Sequence, residues 1–268
     1  MKKVVLAVLI VCLFGVVSLL LLSGLAVYSQ HQRMALLVKR PDHGAAFVIE
    51  ADLARVAGGA NVMPNLKETM RRRFERLGVG IYCESLSPSR IRVVAPITDA
   101  KSVALARQLA SLDGHLEFHL VPENSGQFAA GGQIPAGCEW VKPAEILPAG
   151  RQPAAVLLLK TQPEPGLSGN IVQHAALRHD HTGGLRIDFE LSRDGAIALA
   201  EITRKNPGRR LAIVLGGQWY CAPVIQSPII TGQGQITGGF EERDARQLAT
   251  LLEYPLPVTV TLVELKTF

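Results

Sequence analysis

Apolar positions along this chain follow two rhythms, one helical and one alternating. Leu66, Met70, Phe74 and Leu77 recur at helical spacing, and Gly78 follows where a helix ends, so an amphipathic helix is expected over 65–77. Short β-rich runs at 45–51, 81–85 and 91–95 read as strands, the last two joined by a turn at Ser87, Pro88 and Ser89. Thr98 or Asp99 can cap a second helix over 100–110, with Val103, Leu105, Ala106 and Leu109 apolar. Asp113-Gly114 then turns the chain into a strand at 115–121. Strand, helix, strand, strand, helix, strand is the split βαβ, or ferredoxin-like, order, so 45–121 is expected to form one compact unit.

The rhythm fails after Pro122. Residues 122–166 contain seven prolines and six glycines, and 155–160 is the one strand expected there. Regularity returns with a strand at 171–178. Leu185, Ile187, Phe189 and Leu191 then alternate with Arg186, Asp188 and Glu190, a strand with one buried face. Ser192 can cap a helix to about residue 205, which Asn206-Pro207-Gly208 stops. Two strand-like runs, 211–215 and 218–225, flank Gly216-Gly217, a strong hairpin signal because both turn residues need positive φ. A glycine-punctuated strand region over 231–239 follows. Ala245, Leu248, Ala249 and Leu252 share one face of a closing helix, and a last strand is expected at 258–265.

Composition adds a membrane element. Residues 4–27 carry no charge and would form a helix about 36 Å long, enough to cross a hydrocarbon core of about 30 Å. A cleaved signal peptide also opens on a pair like Lys2-Lys3, but its apolar core is usually about 7 to 15 residues. The reading is an uncleaved single-pass anchor within 1–30, with the Lys-Lys end cytoplasmic; Arg33, Lys39 and Arg40 beyond the run weaken the charge argument for that orientation. The net charge of +5 is a mild excess spread along the chain, which does not suggest nucleic-acid binding. Cys83, Cys138 and Cys221 lie beyond the apolar run, without a CxxC, and allow at most one intrachain disulfide.

Little of the chemistry-bearing sequence reads as a catalytic site. His115, Glu117 and His119 share one strand face, and His174, His179, Asp180 and His181 cluster near a turn; both sets read as solvated surface rather than metal ligands. Gly232, Gly234, Gly238 and Gly239 match no phosphate-loop pattern, and Glu241 and Glu242 would oppose an anion at the next helix start. No catalytic, metal or cofactor-binding residue is assigned, no cofactor is called for, and the chain is not expected to be an enzyme. The helix at 65–77 presents Lys67, Arg71, Arg72, Arg73 and Arg76 outward, a solvated face or a contact for anionic headgroups or an acidic partner. Trp219 and Tyr220 adjoin the glycine turn, one expected in the core and one exposed. Arg71, Arg72, Trp219 and Tyr220 are therefore the candidate partner contacts.

Several stretches carry a family resemblance: IVLGGQWYCAPVI at 213–225, GQGQITGGF at 232–240, the helix ending ATLLEYPLP, FELSRDGAIALAEITRKNPGRRLAIVL upstream, RRRFERLGVG, and LDGHLEFHLV. In this order they resemble the first periplasmic domain of SecD, an accessory subunit of the Sec protein-export machinery, over most of residues 65–260. The resemblance implies a ferredoxin-like base at 31–121 plus 255–268 and an inserted α+β head at 122–254. The stretch from Val38 to Gly44 keeps one glycine of the family's Asp-Leu-x-Gly-Gly motif, and at Phe268, where the family continues into proton-conducting membrane helices, this sequence stops. The resulting expectation is an inner-membrane protein, single-pass through residues 4–27, with its domain outside the cytoplasm. It would bind exported polypeptide or Sec translocon subunits without catalysis and without its own proton path. The alternative is an envelope module, structural or regulatory, that binds some other protein.

Overall fold

The computed structural model describes residues 40–55, 61–128, 133–144, 156–179, 183–237 and 240–268. The expected anchor at 1–30, residues Asp180 and His181, and Gly238-Gly239 lie outside these. Among the described residues no helix is long and apolar enough to cross a membrane.

The lower lobe, or base, is built from β1 (Ala45–Ala51), α1 (Val62–Glu75), β2 (Tyr82–Ser85), β3 (Arg90–Ala95) and α2 (Ala100–Ser111). Its antiparallel sheet has the order β12-β1-β3-β2, with β12 spanning Val260–Thr267. Phe47, Ile49, Ile91 and Val93 turn one sheet face toward α1 and α2, and the Phe47 and Phe74 rings meet at 6.5 Å. α1 starts at Val62, three residues before the expected start, and α2 starts at Ala100 as expected. Pro64 sits in the first turn of α1, where its missing N–H costs nothing. The Asp99 side chain accepts the Ser102 amide at 2.9 Å.

The strand expected to complete this unit at 115–121 does not join it. β4 (Leu116–Leu120) pairs with β9 (Leu211–Leu215), and β9 pairs with β10 (Gln218–Cys221), giving the order β10-β9-β4. The edge of β1 that β4 would have used is taken by β12, along the whole of β1. Main-chain bonds between Gly44 and Phe268, at 3.0 and 2.9 Å, extend that pairing by one step. The split βαβ order is thus present, with the last described strand in the place of the fourth.

The upper lobe, or head, contains three small sheets. Besides β10-β9-β4, β7 (Val172–His179), β8 (Leu185–Leu191) and β11 (Gln233–Thr237) form the order β11-β8-β7, and β5 (Cys138–Val141) pairs with β6 (Leu157–Lys160). α3 (Arg193–Lys205) starts on the Ser192 cap, whose hydroxyl accepts the Gly195 amide at 3.2 Å. α4 (Glu242–Glu253) lies across β7 and β8, and its Glu253 carboxylate accepts the Ala175 amide on the open edge of β7. The β9–β10 turn has Gly216 at φ 58° and Gly217 at 73°, as the hairpin reading requires. β10 ends earlier than expected because Pro223 has no amide to donate. One continuous core runs from Phe47 and Leu66 in the base through Leu109 and Leu116 to Phe189 and Leu248 in the head.

Candidate functional site

The junction of base and head is organised by a charged residue that the helical pattern assigns to solvent. Arg73 lies next to Phe74 and one turn beyond Met70, and it is fully buried. Its Nε donates to the Tyr254 carbonyl at 2.7 Å. Nη1 donates to Leu109 and Leu112 carbonyls at 2.7 and 2.6 Å, and Nη2 to that of Asp113 at 2.8 Å. Leu109, Leu112 and Asp113 close the C-terminal end of α2, and Tyr254 caps α4. Both ends carry unpaired carbonyls and the negative pole of a helix dipole, so one guanidinium serves two helix termini. Burial pushes Arg73 down to about 9, opposed by the Asp113 charge, and it remains a cation at neutral pH. A Cβ at Gly114 would lie 2.3 Å from the Leu251 carbonyl and 2.8 Å from Nη2 of Arg73, at φ 82°. Glycine there lets the chain pass between the clamp and α4.

Beside this clamp is a mostly apolar groove of about 490 Å³. Leu77 and Val79 wall it from the end of α1, Ile97 and Leu105 from the α2 side, and Arg243 and Arg246 from the first turns of α4. Its size and its few polar groups fall within the range of ligand pockets. The outward face of α1 borders the same junction. Arg71 and Arg72 reach Glu68 at 2.5 and 2.8 Å, and the guanidinium groups of Arg72 and Arg76 lie over the Tyr254 ring at 5.8 and 5.9 Å. Hydrogen bonds from Arg71 and Arg72 hold the Glu68 carboxyl below its usual range. Arg71 and Arg72 therefore sit on the surface as members of a charge network.

Trp219 and Tyr220 do not offer an exposed ring. Both are buried, Trp219 under the β5–β6 hairpin and Tyr220 in the main core. Strand alternation sends these consecutive side chains to opposite faces, each covered. The histidine reading also changes. His115 lies 3.8 Å from Asp113, whereas His119 is buried against Glu117 and the Lys160 carbonyl. Among the described residues no group of His, Cys, Asp and Glu side chains could hold a metal ion. Cys83 and Cys138 are free thiols, and burial pushes that of Cys83 up to about 12. The buried Arg73 had one legible signal, its place one turn beyond Met70 on the apolar stripe, whereas the alternation of Leu116, Phe118 and Leu120 assigns His119 to the other face.

These features define a two-lobed α+β module: a split-βαβ base closed by its last strand, carrying a head on a buried cationic clamp. A family profile described as SecDF, P1 head subdomain, matches residues 144–258. SecD of Sebaldella termitidis is 44% identical over 99 residues, covering 37% of this chain and 24% of that protein. SecD of Desulfurispirillum indicum is 30% identical over 203 residues, covering 75% and 39%. A solved structure of a membrane component SecDF that enhances protein export superimposes with TM-score 0.60 and 26% identity, over 83% of this chain and all of that one. The chain carries a P1 domain of the SecD family. It spans 24% and 39% of the length of these two SecD proteins.

Proposed function

We propose that this chain acts in protein export, holding a SecD-like P1 domain on the outer side of the inner membrane through residues 4–27, where it contacts exported polypeptide or Sec translocon subunits without catalysis. The observation that carries this reading is similarity across both lobes to a SecDF component described as enhancing protein export. The apolar groove suits an unfolded segment, because it accepts large side chains without demanding a sequence, and Arg243 and Arg246 line it as cations. The test pairs deletion of the gene with site-specific photocrosslinking from Leu77 in the groove and Arg72 on α1. The expected result is slowed maturation of secreted precursors and adducts with a precursor or a translocon subunit. Normal export with no such adduct would overturn the reading. Reproducible adducts with an unrelated envelope protein would favour a structural or regulatory module instead.

A further inference from the structure

The β5–β6 hairpin covers the second face of the β10-β9-β4 sheet. Beneath it Val121, Leu159, Ala212, Val214 and Trp219 form a small core separate from the main one. The seating is thin. Beyond this cluster, the hairpin is tied at its β5 end by main-chain bonds between Trp219 and residues Lys142 and Ala144, at 3.1 and 2.9 Å. Among the described residues the buried indole N–H groups of Trp140 and Trp219 meet no hydrogen-bond acceptor.

At the β6 end the strand itself is tied by a side chain, and four residues further on the Glu164 amide donates to the Phe118 carbonyl of β4 at 2.8 Å. His119 Nδ1 lies 2.9 Å from the Lys160 carbonyl, and Nε2 lies 3.1 Å from a Glu117 carboxylate oxygen. Both partners can only accept. A neutral imidazole has one N–H and can satisfy one of them, leaving a lone pair facing the other oxygen; an imidazolium satisfies both. The charged groups around the ring favour the cation. Glu117 is on the same strand, and the Glu139 charge acts from β5. Lys160 on β6 turns its ammonium to the buried Glu164, 3.1 Å away, and the Glu164 carboxylate also takes the Leu120 amide at 3.4 Å. From β9, the residue opposite His119 is the uncharged Ala212.

We propose that His119 is a pH-sensitive clasp that holds the β5–β6 hairpin onto the head sheet most firmly when its imidazole is protonated and loosens that end of the hairpin when it is not. Burial alone would lower the basicity of the ring, but the bonds to Glu117 and Lys160 outweigh it and raise the ring above its ordinary value. The sign follows from linkage. The closed hairpin is stabilised fully at pH below the value of a free histidine, and that contribution is lost as pH rises through the higher value of the closed state. Opening would bare Leu159, Val214 and Trp219 together.

The test is amide hydrogen exchange of Glu164, whose N–H joins the β6 end to the Phe118 carbonyl of β4, in the full chain, corrected for intrinsic exchange chemistry, from roughly pH 5.5 to 8.5. Protection is expected to fall several-fold across that range and to be flat in His119→Gln. Glu117→Gln keeps the ring but removes the carboxylate, so the inflection should move to lower pH, and it serves if the first variant folds poorly. Protection that is flat in the native chain, or a pH dependence that persists unchanged in His119→Gln or stays in place in Glu117→Gln, would overturn the proposal.

Discussion

Replacing Arg73 by methionine tests the clamp at the lobe junction. The aliphatic stem can be mimicked, so the change isolates the guanidinium. Exchanging a buried ion pair for apolar residues is often neutral, because both charges leave together. Here the acceptors stay: the Leu109, Leu112 and Tyr254 carbonyls lose their donor, while that of Asp113 keeps the Leu256 amide at 2.6 Å. The bond to Leu109 is fully buried, and those to Leu112 and Tyr254 are partly so. Leaving the Leu109 carbonyl bare costs about 1–3 kcal/mol, and the two others about 0.5–1 kcal/mol each if water can replace the donor. The sum is about 2–5 kcal/mol. With a urea m-value of about 3 kcal/mol/M the unfolding midpoint should fall by about 0.7–1.7 M. Arg73→Lys keeps the charge but not the fork, and should lose about half as much. The assay is equilibrium urea unfolding followed by far-UV circular dichroism. A methionine variant within about 0.3 M of the native midpoint would refute the reasoning, since the three carbonyls would then have found other partners.

Gly114→Ala should destabilise by about 2–3 kcal/mol, read as a lower melting temperature, because a Cβ at 2.3 Å from the Leu251 carbonyl adds a clash to a positive φ. Ser192→Ala removes the cap of α3 and should cost about 1 kcal/mol in the same urea assay, with Ser192→Asp close to neutral. Cys83 should resist iodoacetamide at neutral pH in the folded chain and react once urea unfolds it, since burial pushes its thiol up to about 12.

Most elements were legible because each carries a local signal that tertiary structure did not need to override. The Asp99 and Ser192 caps, the Gly216-Gly217 turn and the alternation from Leu185 to Leu191 all read correctly from neighbours a few residues away. What escaped depends on distant partners. Leu116, Phe118 and Leu120 specify a strand with a buried face but not which sheet receives it, and β12 decides that from the far end of the chain. Arg73 looks like one more cation in a basic run until the carbonyl ends of α2 and α4 surround it. His119 reads as surface, and one of Trp219 and Tyr220 is expected to be exposed, because the hairpin that buries His119 and Trp219 comes from the proline-rich stretch with the weakest pattern. The partner face is the least legible part, since residues that await a ligand obey no internal constraint.

The pairing of β1 with β12 also orders events in time. Its partners are separated by about 220 residues, so closing that loop costs about 5 kcal/mol of chain entropy before the pairing returns anything. The β9–β10 hairpin and the β7–β8 pair close over short loops and form early. A chain leaving the ribosome would therefore assemble parts of its head first, while Phe47, Ile49 and the apolar faces of α1 and α2 wait uncovered on one side for the last strand. A substitution in β12, whose contacts form late, should then act mainly by speeding unfolding and leave the folding rate little changed.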